Sequence, residues 1–395
     1  MDLLNVSIIP LALYIHIPWC VRKCPYCDFN SHQLKDDTDF TTYVDALLLD
    51  AKSQVNFVQG RKLSSIFIGG GTPSILPIDE YHRLFDGLRA LYHFVDDIEV
   101  TMEANPATIE HAPFAEYLAV GINRLSIGVQ TFNNQKLKKL GRIHDASQAS
   151  IAIKSAKQAG FKRINVDLMH GLPNQSVDEA IFDINQAVMA GATHISWYQL
   201  TIEPNTIFYR DKPILPNEDT LANIEVQGSQ LLQDKGFKNY EVSAWVSTDD
   251  EPCRHNINYW KFGDYLAIGA GAHGKVSIQQ NNPDQLADYE QGVYRFSKSR
   301  LPKDYVNFTV APKQVGWQKI NEDDLLGEFM LDSLRLSDGI TIEELTHRTG
   351  IKITTDFTNT LNQLKKQGLL FDDNNLIQPT NLGRRFLNQL IEKFI

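Results

Sequence analysis

Hydrophobic and polar positions over the first two hundred residues switch repeatedly between two periods. Short β-branched or aromatic runs at Leu11–Ile17, Leu63–Ile68, Ile98–Met102, Arg124–Val129, Arg163–Leu168 and His194–Leu200 predict strands. Between them, helical spacing predicts helices near Thr41–Val58, Ile78–Tyr92, Ile109–Val120, Ala146–Ala159 and Val177–Ala190. Gly121, Gly160 and Gly191 stand just past three of these, where a helix stops most readily. Six βα repeats point to an α/β protein with a parallel sheet and outer helices, either a partial (β/α)6 barrel or a doubly wound sheet.

Beyond Thr201 the pattern loosens. It suggests a helix over Asp219–Lys235, then Tyr240–Trp245, the aromatic-rich Cys253–Trp260 and a glycine-rich run ending in a strand near Val276–Gln279. Pro302–Gln318 reads as a connector, which predicts a core domain over 1–301 and a smaller, mainly helical domain over 302–395. In the latter, helices are expected at Asp323–Leu336, Thr341–Thr349, Thr355–Gln367 and Leu382–Phe394, with a hairpin over Gly368–Gln378. Helices followed by a hairpin resemble a winged helix. Residues 301–395 carry 11 Lys and Arg against 13 Asp and Glu, whereas a DNA-binding wing is normally basic. A lid or partner-docking role is the expectation.

Composition narrows the class. With 43% apolar and 22% charged residues among 395, the chain can bury a full core. Its net charge of −10 argues against nucleic acid as a partner and against electrostatic adhesion to anionic membranes. The apolar start, Leu3–Ile17, has no Lys or Arg ahead of it and contains Pro10, so it reads as a strand rather than a signal peptide. No run approaches the roughly 18 apolar residues of a transmembrane segment.

Polar residues that break the pattern gather after the strands. Cys20 follows the first, Gly69-Gly70-Gly71-Thr72-Pro73 the second and Glu103-Ala-Asn105-Pro106 the third. Gln130 follows the fourth, Asp167 with Gly171-Leu-Pro173 lies at the fifth and Glu203-Pro204 follows the sixth. Carboxyl ends of strands are where parallel α/β folds build their sites. Three of the four cysteines, Cys20, Cys24 and Cys27, fall within eight residues at C-x3-C-x2-C spacing. A structural zinc site wants four ligands. Three thiolates suit a [4Fe–4S] cluster with one iron left open, and they require a reducing compartment, the cytoplasm. The bland alternative is three packed apolar cysteines, which usually occur singly.

Tyr14-Ile-His16-Ile-Pro-Trp-Cys20 through Tyr26-Cys27-Asp-Phe29 resembles the radical S-adenosylmethionine (SAM) superfamily. The resemblance is to the branch holding oxygen-independent coproporphyrinogen III dehydrogenases and the heme chaperones of the HemW family, and it extends into the C-terminal helices. It implies a partial (β/α)6 TIM-like barrel of the radical SAM type. It also implies a [4Fe–4S] cluster on Cys20, Cys24 and Cys27, SAM on the open iron, and an electron donor for the cluster. Family SAM contacts fall on Tyr14, Tyr26, Gly70, Gly71, Thr72, Glu103, Gln130, Arg142 and Asp167. Singly, each charged one could equally be a surface ion-pair residue. His255-Asn-Ile-Asn-Tyr259-Trp260 resembles the HNxxYW motif associated with heme binding in that chaperone family. From physics alone, a hydrogen-bonded histidine in an aromatic core is about as probable. The dehydrogenase pattern is C-x3-C-x2-C-x-C, and Phe29 stands where its last cysteine would be. Only nineteen residues precede Cys20, where the dehydrogenase carries an N-terminal arm. Both departures favour a protein that binds heme as cargo and passes it to recipient hemoproteins such as respiratory enzymes. The alternative is the dehydrogenase itself; an RNA-modifying radical SAM enzyme fits the acidic balance poorly.

Two motifs invite other readings. Gly269-Ala-Gly271-Ala-His-Gly274-Lys275 matches G-x-G-x-x-G and nearly a P-loop, but Val276 lacks the magnesium-binding hydroxyl. These glycines are expected to permit close packing or approach to a flat ligand. His16 reads as a site residue or as a buried, satisfied histidine. Cys253 reads as a packed thiol, with a fourth cluster ligand or a heme thiolate as the alternatives.

Overall fold

The computed structural model describes residues 3–107, 113–279, 286, 288–308 and 315–395. All six expected strands form: β1 Leu11–Ile17, β2 Leu63–Gly70, β3 Phe94–Ala104, β4 Arg124–Gln130, β5 Arg163–His170 and β6 His194–Gln199. They pair in parallel, in chain order. Helices Phe40–Ser53, Ile78–Leu91, Phe114–Val120, Ala146–Ala159 and Val177–Ala190 lie between them. The last two match the expectation residue for residue because both ends are signalled. Asp145 with Gln148, and Ser176 with Glu179, form capping boxes, and Gly160 and Gly191 close the helices in left-handed geometry. The helix expected over Thr41–Val58 ends at Ser53, with a separate tight turn at Val55–Val58. That expected over Ile109–Val120 starts at Phe114 after Pro113; residues 109–112 of it lie outside the described residues.

The sheet is wider than the periodicity shows. Strands β7 Phe237–Glu241, β8 Ala244–Ser247, β9 Asp264–Ile268, β10 His273–Ile278, β11 Gly292–Ser297 and β12 Val315–Lys319 extend both edges. The order is β12-β11-β10-β9-β1-β2-β3-β4-β5-β6-β8-β7. β9 joins β1 in parallel, and the other added strands pair antiparallel. β1, the first strand made, is therefore interior to the sheet. The stretch Pro302–Gln318, expected as a connector, instead holds a helix at Pro302–Phe308 and most of β12. Trp317 secures that strand by stacking on Tyr294 and Phe296 of β11, at ring separations of 5.5 and 5.0 Å.

C-terminal helices Glu322–Ser333, Ile342–Thr349 and Thr355–Lys366 pack around Leu325, Phe329, Leu345, Phe357, Leu361 and Leu390. Phe262 and Val293, from the main sheet's side, join the same core. The expected hairpin closes by a bond from Phe371 N–H to the Gln378 carbonyl at 3.0 Å, but Leu376–Ile377 pairs with Ile340–Thr341. The helix expected over Leu382–Phe394 breaks at Phe386 into two short turns. Among the described residues no helix is long and apolar enough to cross a membrane.

Candidate functional site

A cavity of about 420 Å³ opens at the carboxyl end of the parallel strands. Gly70 of β2, Glu103 of β3, Gln130 of β4, Asp167 of β5 and Tyr198 of β6 all line it. Residues from five successive strands meet around one space only because the sheet curls. Cys20, Cys24, Cys27, Tyr26, Gly71, Thr72 and Arg142 complete the wall, so every expected cluster and SAM residue except Tyr14 is brought together. Tyr14 lies on β1, stacked on Phe67 at 6.3 Å, with its hydroxyl 3.0 Å from His16 Nδ1. His16 Nε2 meets the Asn30 carbonyl at 2.8 Å, so His16 is the buried, satisfied histidine.

The three thiols are free cysteines at the mouth of the cavity. Thr72 Oγ1 stands 3.4 Å from Cys20 Sγ, Arg142 Nη1 3.7 Å from Cys24 Sγ and Ser31 Oγ 4.0 Å from Cys27 Sγ. Burial pushes the Cys20 and Cys27 thiols up, so binding iron releases protons there. Among the described residues no three His, Cys, Asp or Glu side chains converge on one ion.

Two half-buried carboxyls, Glu103 and Asp167, line the same cavity. Burial, and then Asp167, push Glu103 up to about 8, although Gly70 N–H donates to it at 3.1 Å. Burial also raises Asp167, to about 6, against hydrogen bonds from Ser126 and from Asn165 Nδ2 at 2.7 Å. Arg142 Nη2 is anchored on the Gly128 carbonyl at 2.5 Å, while its buried Nε has no partner among the described residues. A cationic ligand group would relieve the paired acids, and a carboxylate would satisfy the arginine. The residues present thus fit a [4Fe–4S] cluster and a zwitterionic, sulfonium-bearing ligand.

The glycine turn serves closure as well as ligand access. A Cβ at Gly70, whose φ is +112°, would stand 2.5 Å from His16 Cε1; one at Gly71 would stand 2.4 Å from the Trp19 carbonyl oxygen. Gln130 adopts φ +72°, rare for a side chain of its size, and accepts a bond from Tyr198 hydroxyl at 2.9 Å. The sequence reading missed Tyr198, Ser126 and Asn165. Their only signal is position, since they face inward on β4, β5 and β6 and resemble ordinary strand residues.

His255, Tyr259 and Trp260 share the helix Arg254–Trp260 but not one surrounding. His255 packs at a tilt against Phe67 at 4.9 Å and Tyr14 at 6.3 Å, and its buried Nδ1 has no partner among the described residues. Tyr259 packs against Tyr265 of β9, and Arg335, just past the helix Glu322–Ser333, lies 5.0 Å over Trp260. Glu99 caps this helix, accepting from Arg254 N–H at 2.9 Å and from Cys253 Sγ at 3.3 Å. Cys253 is buried and pushed up to about 12 by desolvation. In the glycine-rich run, Lys275 is buried in an ion pair with Asp264 at 3.0 Å rather than facing a phosphate.

The radical SAM superfamily model matches residues 14–185, and the HemN C-terminal domain model matches 320–386. A curled parallel sheet with three thiols at its carboxyl end, matched in this way, defines a radical SAM protein, which implies a [4Fe–4S] cluster and SAM. Over 390 residues the chain is 44% identical to heme chaperone HemW of Escherichia coli (strain K12), covering 99% of each. It is 43% identical to heme chaperone HemW of Haemophilus influenzae, over 98% of each. The chain belongs to the HemW family. The solved structure of Escherichia coli coproporphyrinogen III oxidase (HemN), titled a radical SAM enzyme, superposes with a TM-score of 0.80 at 23% identity. That match covers 98% of this chain and 90% of the other, and it establishes the shared fold.

Proposed function

We propose that this protein binds heme and delivers it to recipient hemoproteins, respiratory enzymes among them, in a reducing cytoplasm. In this reading Cys20, Cys24 and Cys27 hold a [4Fe–4S] cluster, and SAM occupies the cavity against Tyr26, Gly70, Gly71, Thr72, Glu103, Gln130, Arg142 and Asp167. Tyr14 supports that cavity from below. The observation that carries the reading is end-to-end similarity to proteins named heme chaperone HemW. When bound, cluster and SAM supply one-electron chemistry. The chain's own residues hold three thiolates, pair Arg142 with a carboxylate and offer Glu103 to an amine. A dedicated electron donor would serve the cluster.

For heme, His255 supplies a nitrogen and Tyr259 with Trp260 supply apolar ring surface. Burial lowers His255 to about 4, so its imidazole is neutral at pH 7, the form that ligates iron. In a heme titration of reconstituted protein, His255→Ala is expected to weaken binding about tenfold or shift the Soret band, with iron and sulfide content unchanged. Superimposable titrations of wild type and variant would return His255 to the role of core residue. Passage of heme from the loaded protein to an apo-hemoprotein, followed by absorbance, tests delivery.

SAM binding is expected to depend on pH through Glu103. Its raised acid is protonated below about 8 in the cofactor-free chain, and a cationic ligand draws out the ionised form. Affinity should therefore climb as pH rises to about 8, with net proton release on binding. Calorimetry in two buffers of different ionisation enthalpy reads that release. Glu103→Gln should abolish it and weaken SAM by about tenfold or more. The same linkage lowers the stability of the cofactor-free fold as pH rises from 4.5 towards 8, because the native state holds the proton longer than the unfolded chain.

A further inference from the structure

The three thiols are steadied from three directions. Thr72, just past β2, stands at Cys20, and Arg142, from the loop before the helix Ala146–Ala159, stands at Cys24; the arm after Cys27 is held by a different set of contacts. We propose that Asn30, clamped between His16 and the Gly269–Gly271 turn, is the positioning residue for the Cys27 arm of the cluster loop. The proposal rests on the assignment of Cys20, Cys24 and Cys27 as cluster ligands.

Asn30 is held through its side-chain amide nitrogen and its main-chain carbonyl. Its two amide hydrogens go to the Ala270 carbonyl at 2.9 Å and the Arg300 carbonyl at 2.8 Å. Its own carbonyl accepts from His16 Nε2 at 2.8 Å, and the Tyr14 hydroxyl 3.0 Å from Nδ1 selects that tautomer. The far wall is shaped to admit it. Gly271 has φ +81°, and a Cβ there would stand 2.2 Å from Asn30 Nδ2; at Gly269 a Cβ would stand 2.3 Å from the His16 carbonyl oxygen. The glycine run that imitates a nucleotide motif is thus a socket for the cluster loop. Asn30 leads into Ser31, whose hydroxyl lies nearest Cys27 Sγ. Losing the clamp leaves the arm after Cys27 held by Pro18 to His32 and Cys20 to Leu34 at its base, and by Lys23 Nζ at the Phe29 carbonyl.

The test measures how fast EDTA extracts iron from the anaerobically reconstituted full chain. Asn30→Asp keeps the shape but sets one carboxylate oxygen, which cannot donate, against the two carbonyls that Nδ2 bonds. Gly271→Ala strikes the same contact from the other side. Both are expected to lose iron about tenfold faster than wild type and to show a diminished SAM-induced change in the electron paramagnetic resonance of the reduced cluster. Their cofactor-free forms should melt close to wild type. Extraction rates equal to wild type in both variants would overturn the clamp. So would a drop in cofactor-free melting that accounts for the loss, since that marks a general defect of the fold. Cys24→Ala runs alongside: if it holds the cluster as firmly as wild type, the ligand assignment fails rather than the clamp.

Discussion

Anaerobically reconstituted Cys24→Ala protein is expected to carry no [4Fe–4S] absorption, and Cys20→Ala and Cys27→Ala are expected to behave alike. The loss should be all or none because the loop provides three thiols and no replacement. The fourth cysteine, Cys253, sits at the amino-terminal end of the barrel strands, buried and bonded to Glu99. Desolvation holds it as a thiol, so it neither reaches the cavity nor offers a thiolate. Cys253→Ala should therefore keep full iron and sulfide, with at most the stability cost of emptying a small buried site, about 1–3 kcal/mol. Visible absorption with iron and sulfide assays decides the matter. A stable cluster in Cys24→Ala would remove the cavity's central assignment.

Supplied with SAM, reductant and coproporphyrinogen III, the wild-type chain is expected to form no protoporphyrinogen IX, at least about a hundredfold below a dehydrogenase run in parallel. Sharing a fold with HemN does not carry the reaction across, because function resides in the site. Oxidative decarboxylation needs one C–H bond of the substrate held against the reactive carbon, and a displacement of about 1 Å can cost on the order of a hundredfold in rate. Phe29 lines the mouth of this cavity at 61% exposure, tied through its carbonyl to Lys23 Nζ at 3.1 Å. It puts a solvent-facing ring where the dehydrogenase pattern has a thiol, so the substrate's approach differs even where the cofactor contacts agree. Mass detection of carbon dioxide loss gives the answer. Multiple turnovers would restore the enzyme reading and displace heme delivery.

How far the sequence foretold this molecule depended on whether a signal was local. The six parallel strands and two capped helices were legible because period, cap and stop residue lie within one element. The convergence of Cys20, Gly70, Glu103, Gln130 and Asp167 on one cavity was legible too, since each follows or ends a strand at the same end of the barrel. β9 was not: Asp264–Ile268 is a short apolar run before glycines, and it becomes a strand only by lying beside β1, far away in the chain. β12 was hidden for the same reason, its support being the rings of Tyr294 and Phe296. Ser126, Asn165 and Ser196, which steady Asp167, look like any polar positions in a half-buried strand. In the Cys253–Trp260 segment the motif was visible, but its division between barrel interior and C-terminal helices was not.

The place of β1 inside the sheet sets an order of events during synthesis. β1 and the loop after it leave the ribosome long before β9, and one edge of β1 stays open until β9 arrives to pair with it. The carbonyl that receives Asn30 belongs to Ala270, 240 residues later in the chain. For most of translation the cysteine-bearing loop is therefore without its socket, and non-local closures of this kind come late in folding. On the proposed cluster assignment, metal loading is an assembly step that follows near-completion of the chain, and a polypeptide stalled before Ala270 would present its cysteines without a lasting place for iron.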